Sequence, residues 1–509
     1  MRSTFYGLEI AKTGLFTSSN QLDLTGHNIS NVNTVGYTRQ RFSTAALPPL
    51  AENTYINVDR RSVSGRGVET ICIEQIRNPF LDYQYRKENA TATGWNMREQ
   101  YFEYMEALFN DELEKIDTNS GMTSIFKTFY NALYALTESP ADQNVRTNVR
   151  ENALKLTESM NYYYDRLMAQ QDTLNETIRV SVNEINEIMV QIADLNEQIF
   201  GYELNGARAN DLRDTRNVLL DTLSGIADIE FSEDSNGQLR VKLDGRTMIH
   251  HTRYNPLAVN DDVPNPVDPT DAGINLYGIY WADADGNPTS EAVTVRSGAI
   301  HGYLSVRDGA DSENVGIPYV IEQLNALCAK VAREFNEVHR QGYTIPKDIN
   351  DTSVNGVDFF DESVPVTAKN FKLSAAIMAS VWNIAASEDP VGYGENEQMG
   401  NNKNALLLTD LIHKTDESGK PVNLDAGYKE LLTLISTELG QIHTKAKTQS
   451  TMLGHIDQQR ISISGVSLDE EMTNLIRFNH AYSAASRMIT AIDEELDTLI
   501  NKMGLVGRS

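Results

Sequence analysis

The side chains that most often perform chemistry are few and scattered in this sequence. Nine histidines occur in 509 residues, without the His-Glu-x-x-His spacing that places two imidazoles on one helix face. The only cysteines are Cys72 and Cys328, and a zinc site needs about four such ligands close together. The adjacent His250 and His251 would point to opposite faces of a strand. We therefore predict no metal site and no disulfide framework.

Two short segments bear a partial likeness to ligand-binding loops. Residues 281–287 carry carboxylates before Gly286, as calcium loops do, but with that glycine at the sixth place Trp281 and Ala292 stand where oxygen ligands are needed. A hairpin turn explains this segment better. Residues 65–68, Gly-Arg-Gly-Val, have neither a third glycine nor a following helix, so they predict a turn and not a dinucleotide-binding loop.

Other catalytic motifs are missing as well. The sequence contains no Gly-x-Ser-x-Gly elbow and no phosphate loop ending in Gly-Lys-Ser or Gly-Lys-Thr. We predict no catalytic residue, no cofactor and no enzymatic activity. Carboxylates from distant segments could still converge in the fold, and the sequence alone leaves that possibility open.

Length and composition indicate a soluble, multidomain protein. With 40% hydrophobic and 23% charged residues, the chain has no apolar stretch as long as a membrane helix, and its length suggests three or four domains of about 100 to 200 residues. Its 71 acidic and 44 basic residues give a net charge of −27, which would repel phosphate backbones and anionic lipids. We expect neither nucleic acid nor membrane as a partner.

The two ends of the chain carry heptad repeats, so both predict helices with one apolar face. Small residues fill the second heptad position near the N-terminus (Ala11, Ser18, Thr25), which makes that helix marginal alone. Gly36 suits the left-handed position after it. We call the nine main heptad residues the seam residues and expect them to be exposed in a free chain and packed between subunits: Leu8, Leu15, Leu22, Ile29, Leu468, Leu475, Tyr482, Ile489 and Leu496. Packing of both helices on their own domain is the alternative, because most amphipathic helices face a core.

Helical patterns also dominate the middle of the chain. A heptad of isoleucines from Ile178 to Ile199 indicates a long helix over about 150–200, and shorter helices are predicted over 211–226, 318–339 and 428–456. Residues 226–296 hold β-type alternation and turn signals at Asp244-Gly245 and Asp285-Gly286, and residues 346–400 are rich in turns. The fold class we predict is mainly α with β-rich insertions: a long helical-bundle stem, terminal helices forming a coiled coil, and a smaller outward β domain.

The terminal sequences resemble a known family. Residues 24–37, LTGHNISNVNTVGY, resemble the N-terminal sequence shared by the rod, hook and hook-associated proteins of the bacterial flagellum. Residues 464–487 are similar to the C-terminal end of the hook-associated protein 1 family. The isoleucine heptad, residues 209–214 and residues 335–342 also match that family, and rod and hook proteins lack them.

This resemblance implies a structural protein that forms the junction zone between hook and filament. Its expected partners are copies of itself, the hook protein, the next hook-filament junction protein, and the flagellar export apparatus with a chaperone. The N-terminus has no secretory signal pattern, so the implied route is type III export without a cleaved signal peptide, to an extracellular place in the flagellum. The alternatives are another hook or rod protein, or an axial stem that carries a binding or hydrolase domain.

From these patterns we divide the chain into three parts. The terminal coiled-coil helices are 1–40 and 466–509. The rod-like helical stem comprises 41–225, 297–345 and 401–465, and the β-rich outer insertion comprises 226–296 and 346–400.

Overall fold

The computed structural model describes residues 6–47, 65–109, 121–204, 206–234, 237–394, 399–411 and 424–502. Within these ranges the protein is mainly helical and carries three small antiparallel sheets, which confirms the predicted fold class. Among the same residues, no helix has an apolar stretch long enough to span a lipid bilayer.

The helices vary greatly in length, and the longest corresponds to the isoleucine heptad. They are α1 (Tyr6–Ser30), α2 (Pro79–Phe109), α3 (Met122–Glu138), α4 (Gln143–Glu203), α5 (Asn210–Ile226), α6 (Ala299–Asp308), α7 (Ile317–His339), α8 (Ala375–Ala379), α9 (Lys403–Asp410), α10 (Leu424–Ser464) and α11 (Leu468–Asp497). Single turns of other helix types occur at Ala272–Ile274, Val381–Asn383 and Thr498–Lys502.

The three sheets are small, and every strand pairs antiparallel with its neighbour in the chain. A two-stranded hairpin contains β1 (Gln40–Ala46) and β2 (Val68–Gln75). The second sheet is formed by β3 (Ile229–Glu233), β4 (Leu239–Leu243), β5 (Arg246–His250) and β6 (Arg253–Tyr254), and the third by β7 (Leu257–Val263), β8 (Leu276–Ala282) and β9 (Pro288–Ala292).

The heptad pattern correctly located the apolar face of α4. Ile178, Ile185 and Ile192 are completely buried, and Ile199 is nearly so. Side chains that recur every seven residues share one face of a helix, and the burial of these four stabilises α4 by packing, which supplies most of the stability of helices in proteins.

The turn signal at Asp244-Gly245 was also correct. Both residues have positive φ values, 49° and 75°, which is the backbone of a two-residue type I′ turn between β4 and β5. Leu239, Val241 and Leu243 alternate inward along β4. Hydrophobic alternation and the Asp-Gly turn therefore specify this hairpin together.

The chain forms two compact units. The first contains residues 1–89, 185–256 and 451–509, and the second contains 90–184 and 257–450. Helices α1 and α11, the β1–β2 hairpin and the β3–β6 sheet therefore belong to the first unit, whereas the β7–β9 sheet belongs to the second.

The second unit has a large hydrophobic core that includes aromatic side chains from residues 346–400. Phe359, Phe360 and Phe371 are buried in the same cluster as Phe129 and Phe335. The prediction of a β-rich insertion over residues 346–400 was wrong. The described residues of this segment form short helical turns and isolated β-bridges, and none of them belongs to a strand.

Two polar side chains of α7 replace sheet pairing in this irregular segment. The buried Asn336 accepts the backbone N–H groups of Phe359 and Phe360 at 2.8 and 2.9 Å, and its amide nitrogen donates to the Phe360 carbonyl at 2.9 Å. His339 is fully buried, with Nδ1 2.7 Å from the Val357 carbonyl oxygen and Nε2 accepting from the Ala385 N–H at 2.9 Å. These side chains therefore provide hydrogen-bond partners for buried backbone groups that a neighbouring strand would otherwise pair with.

Candidate assembly site

The terminal helices α1 and α11 pack against each other within one chain. The Cδ1 atom of Ile492 lies 3.4 Å from the position that a Cβ on Gly7 would take, so the two helices approach closely. Seven of the nine seam residues are half-buried as a result, and only Leu468 and Tyr482 are exposed. The expectation that the seam is exposed in a free chain was therefore wrong for these seven residues, because α1 and α11 cover much of each other's apolar face, and it holds for Leu468 and Tyr482.

Small residues of α1 are buried more completely than the seam leucines. Ala11, Ser18 and Thr25 are each less than 9% exposed. The two hydroxyl groups donate to the helix's own carbonyls, at 2.8 Å from Gly14 O and Gln21 O respectively. Ser18 and Thr25 can therefore be buried without leaving their hydroxyl groups unpaired. This face of α1 consists of small side chains and is still well buried.

A second apolar stripe on α11 is exposed. Leu468, Met472 and Ile476 are spaced four residues apart, which places them on one side of the helix, and they are 48%, 51% and 54% exposed. Tyr482, two heptads after Leu468, lies on the same side of the helix and is 38% exposed. We call Leu468, Met472, Ile476 and Tyr482 the outer stripe.

Asn28, near the end of α1, is the centre of a buried polar cluster. Its amide nitrogen donates to the Gln40 carbonyl at 2.9 Å and to Glu471 Oε2 at 3.2 Å. Its Oδ1 accepts from the Tyr37 hydroxyl at 2.8 Å and from the Gln40 N–H at 3.1 Å. One side chain thus connects α1, the start of β1 and the first turn of α11.

Glu471 has the complementary role on α11. It is 2% exposed, and besides Asn28 it binds Arg39, whose Nε donates to Oε1 at 2.8 Å. Arg39 also donates to Glu470 Oε2 at 2.6 Å, and its backbone N–H donates to the Ser464 carbonyl at 2.8 Å. Because the first turn of a helix favours negative charge, the carboxylate of Glu471 is stabilised by both the arginine and the helix dipole.

Asp214 on α5 anchors the other side of the same segment. Its carboxylate accepts from the Thr38 N–H at 2.9 Å, the Thr38 hydroxyl at 2.6 Å and Gln75 Nε2 at 2.8 Å, and Arg77 lies 3.4 Å away. Burial raises the pKa of Asp214 to about 6, whereas the Thr38 hydrogen bonds and the Arg77 charge oppose that rise. Helix α5 is thereby fixed to the loop after α1 and to the β1–β2 hairpin.

The residues considered above as ligands form no metal cluster. Among the described residues, no three His, Cys, Asp or Glu side chains are grouped so as to hold a metal ion. Asp283 Oδ1 accepts the backbone N–H groups of Asp285 and Asn287, and β8 and β9 flank this segment, so it is a hairpin turn as predicted. The turn predicted for residues 65–68 was wrong: residues 65–67 lead into β2 without a turn, and the Gly67 carbonyl accepts the Leu47 N–H at 3.0 Å, which extends the pairing of β1 and β2.

Comparison with known proteins identifies the family. The family model described as the flagellar hook-associated protein FlgK helical domain matches residues 104–360, and that of the flagellar basal body rod FlgEFG protein C-terminal region matches 457–502. Flagellar hook-associated protein 1 of Bacillus subtilis is 31% identical over 100% of both chains. The chain belongs to the flagellar hook-associated protein 1 family. The protein of the same name from Salmonella typhimurium is 24% identical, over 96% of this chain and 98% of its own.

A solved member of the hook-associated protein 1 family shares the fold. The flagellar hook junction protein from Burkholderia pseudomallei aligns with a TM-score of 0.57 at 14% identity, over 75% of this chain and 100% of the solved chain. The family resemblance drawn from the terminal sequences is therefore confirmed. Asn28 and Glu471 lie within the terminal sequences that carry this resemblance, but no local pattern indicates the hydrogen bond by which they join the two ends of the chain.

Proposed function

We propose that this chain is a structural subunit of the bacterial flagellum, located at the junction between hook and filament and assembled through its terminal helices. The observation that carries the proposal is the outer stripe of α11, because large apolar side chains that remain half exposed mark a surface that another protein covers. Membership of the hook-associated protein 1 family supports the same role.

The subunit contacts in this proposal include all nine seam residues, in two different ways. Leu468 and Tyr482 belong to the outer stripe and contact the neighbouring subunit directly. The other seven are half-buried between α1 and α11, and their remaining exposed surface adds to the contact. The Asn28–Glu471 hydrogen bond holds the two helices in the arrangement that presents this surface.

The wider set of partners follows from the same role. The chain would contact copies of itself, the hook protein and the next hook-filament junction protein in the assembled flagellum. Before assembly it would bind the export apparatus and a chaperone, and it would reach the extracellular flagellum without cleavage of a signal peptide. The terminal helices, the stem and an outer position of residues 226–296 remain part of this proposal, as does the absence of catalytic activity. Residues 346–400 do not, because their phenylalanines are buried in the core of the second unit.

Deletion of the gene in the bacterium that encodes it tests the proposed location. Without a junction subunit, cells should assemble hooks but retain no filaments, and flagellin should accumulate in the medium. Expression of the full chain from a plasmid should restore filaments, as seen by electron microscopy. Loss of the hooks as well would indicate a rod or hook protein instead, and a normal number of filaments would contradict the proposal.

A further inference from the structure

The four-stranded sheet β3–β6 of the first unit has two different faces. On the inner face, Leu239, Val241 and Leu243 are buried. Phe231 is paired with Val241 and therefore lies on the same face, and the Arg86 guanidinium carbon is 4.2 Å from the centre of its ring. The inner face is thus covered by the sheet's own unit, and the outer face is left for another contact.

The outer face carries a row of basic side chains. Arg240 on β4 lies directly opposite His250 on β5, and His250 lies directly opposite Arg253 on β6. Lys242 is two positions from Arg240 and projects from the same face. Arg240, His250 and Arg253 are exposed, and Lys242 is half-buried. We call these four residues the basic face; within the described strands β3–β6, Glu230, which is paired with Lys242, is the one acidic side chain beside them.

The cations of the basic face have no acidic partner in the described part of their own chain. No described carboxylate lies within ion-pairing distance of Arg240, Lys242 or Arg253. Ion pairs do hold six other arginines of the same unit: Arg39, Arg77, Arg86, Arg213, Arg216 and Arg460. Like charges placed side by side on a sheet are destabilising, so an acidic partner on this face would remove a cost that the free chain carries.

The acidic residues that could meet such a face are concentrated in one part of the chain. The second unit contains 43 acidic and 22 basic residues, a net charge of −21, whereas the first unit contains 28 and 22, a net charge of −6. A second copy of the chain therefore offers an acidic surface that is complementary in charge to the basic face.

We propose that the basic face binds an acidic surface of a second copy of this chain in the assembled junction. This proposal rests on the proposed function, because the junction brings copies of the chain together. The contact joins two different surfaces, one basic and one acidic. Repeated contacts of this heterologous kind produce rings or helical assemblies instead of symmetric pairs. The basic face would therefore add an electrostatic contact to the apolar contact of the outer stripe.

A zero-length cross-linker tests the proposal on flagella purified from the source bacterium. A water-soluble carbodiimide joins a lysine amine to a carboxylate that it contacts, and Lys242 is the lysine of the basic face. We expect a covalent dimer at twice the mass of the 56.8 kDa chain. Mass spectrometry of this dimer should find Lys242 joined to an Asp or Glu of the second copy.

A conservative variant and a matched control identify the lysine that reacts. Lys242→Arg keeps the positive charge and removes the amine, so it should abolish this cross-link while filaments are retained. Lys429→Arg is the control, because it makes the same change at a 60% exposed lysine outside the basic face, and it should leave the Lys242 cross-link unchanged.

Charge reversal tests the electrostatic basis of the contact. Arg240→Glu combined with Arg253→Glu should lower the yield of the Lys242 cross-link about fivefold. Arg41→Glu combined with Arg333→Glu changes the net charge equally, at side chains that are 66% and 62% exposed elsewhere, and should preserve the yield. Equal yields in the two double variants would overturn the proposal.

Two further results would also overturn it. One is a Lys242 that forms no cross-link to another chain, and the other is a cross-link from Lys242 to the hook protein or another flagellar protein instead of a second copy. Absence of the chain from the purified flagella, checked by immunoblot before the reagent is added, would contradict the proposed function itself and this proposal with it.

Discussion

Asn28 and Glu471 lie 443 positions apart in the sequence and are joined by a buried hydrogen bond of 3.2 Å from Nδ2 to Oε2. This bond connects the end of the first helix to the beginning of the last one. The remaining hydrogen-bonding groups of Asn28 are used by Tyr37 and Gln40, so the amide has a partner on each side. Asn28 therefore helps to fix the relative position of α1 and α11.

Asn28→Ala should destabilise the first unit substantially. The substitution removes four hydrogen bonds and leaves buried partners unsatisfied, which costs about 3 kcal/mol. Urea unfolding of the full chain should show a corresponding shift, and limited proteolysis should cut the termini sooner. Asn20→Ala, at an exposed position on the same helix, is the control and should stay within about 0.5 kcal/mol of the wild type. Equal stability of the two variants would show that the cluster contributes little.

Gly36→Ala should reduce the stability of the protein more than Gly206→Ala does, although both glycines have a left-handed backbone. Gly36 has the left-handed backbone predicted for it, with a φ of 79°, although α1 ends at Ser30 and Gly36 lies in the following loop, not at the helix cap. A Cβ there would lie 2.1 Å from Val218 Cγ2. Gly206 has a φ of 81° with open space around it, so Gly206→Ala adds only backbone strain. We expect a loss of about 1 kcal/mol for Gly206→Ala and about 3 kcal/mol for Gly36→Ala, measured by thermal unfolding. Similar losses would mean that the Val218 contact relaxes without cost.

His339 should make the second unit sensitive to acid. Burial lowers the pKa of His339 to about 4 from its ordinary value of 6.5, because the protein interior disfavours the charged imidazolium, and the hydrogen bond to the Val357 carbonyl opposes this only in part. The unfolded chain therefore takes up a proton between these two values while the folded chain does not. Stability from this group is complete above pH 6.5 and is lost as the pH falls through 4, by about 3 kcal/mol in total.

The measurement that isolates this effect compares wild type with His339→Gln over pH 7.5 to 4. The variant should be less stable at pH 7.5, and the difference from wild type should shrink by about 3 kcal/mol toward pH 4. His480→Gln, at an exposed position of α11, serves as the control and should keep the wild-type pH profile. A pH-independent difference for His339→Gln would mean that His339 has the same pKa in the folded and the unfolded chain, and would contradict the lowered pKa.

The sequence correctly predicted those helices and hairpins that are specified by the residue pattern within their own segment. The heptads located α1, α4 and α11, and an Asp-Gly turn located the hairpin of β4 and β5. These features could be predicted because the apolar pattern of a helix or a hairpin repeats every few residues along the sequence. The contacts that hold the ends of the chain could not be predicted from the sequence. Thr38 and Asp214, for example, are separated by 176 positions, and no local pattern links them.

Two further differences have physical causes. The β1–β2 hairpin fell within a region predicted as helical stem, because β1 (Gln40–Ala46) has few large apolar residues to show alternation. Residues 346–400 were predicted as β-rich from their turns. In the fold, Asn336 and His339 supply the hydrogen bonds that strands would have supplied, and buried phenylalanines supply the core.

Leu475→Asp should lower the stability of the isolated chain. Leu475 is a seam residue that is half-buried on α11, which packs on α1. A carboxylate there loses apolar contact and is partly removed from water, at a cost of about 2 kcal/mol. Calorimetry of the monomer should show a lower melting temperature. An unchanged melting temperature would indicate that α1 and α11 separate in the free chain.

Met472→Asp tests the outer stripe of α11 most directly, because this side chain is 51% exposed and should tolerate a charge in the free chain. The matched control is Met378→Asp, at a methionine that is 48% exposed on α8, outside the terminal helices. Both variants should melt like the wild type. In cells of the source bacterium that lack the native gene, we predict filaments with Met378→Asp, and secreted flagellin without retained filaments with Met472→Asp. Normal filaments with Met472→Asp would contradict the proposed assembly surface.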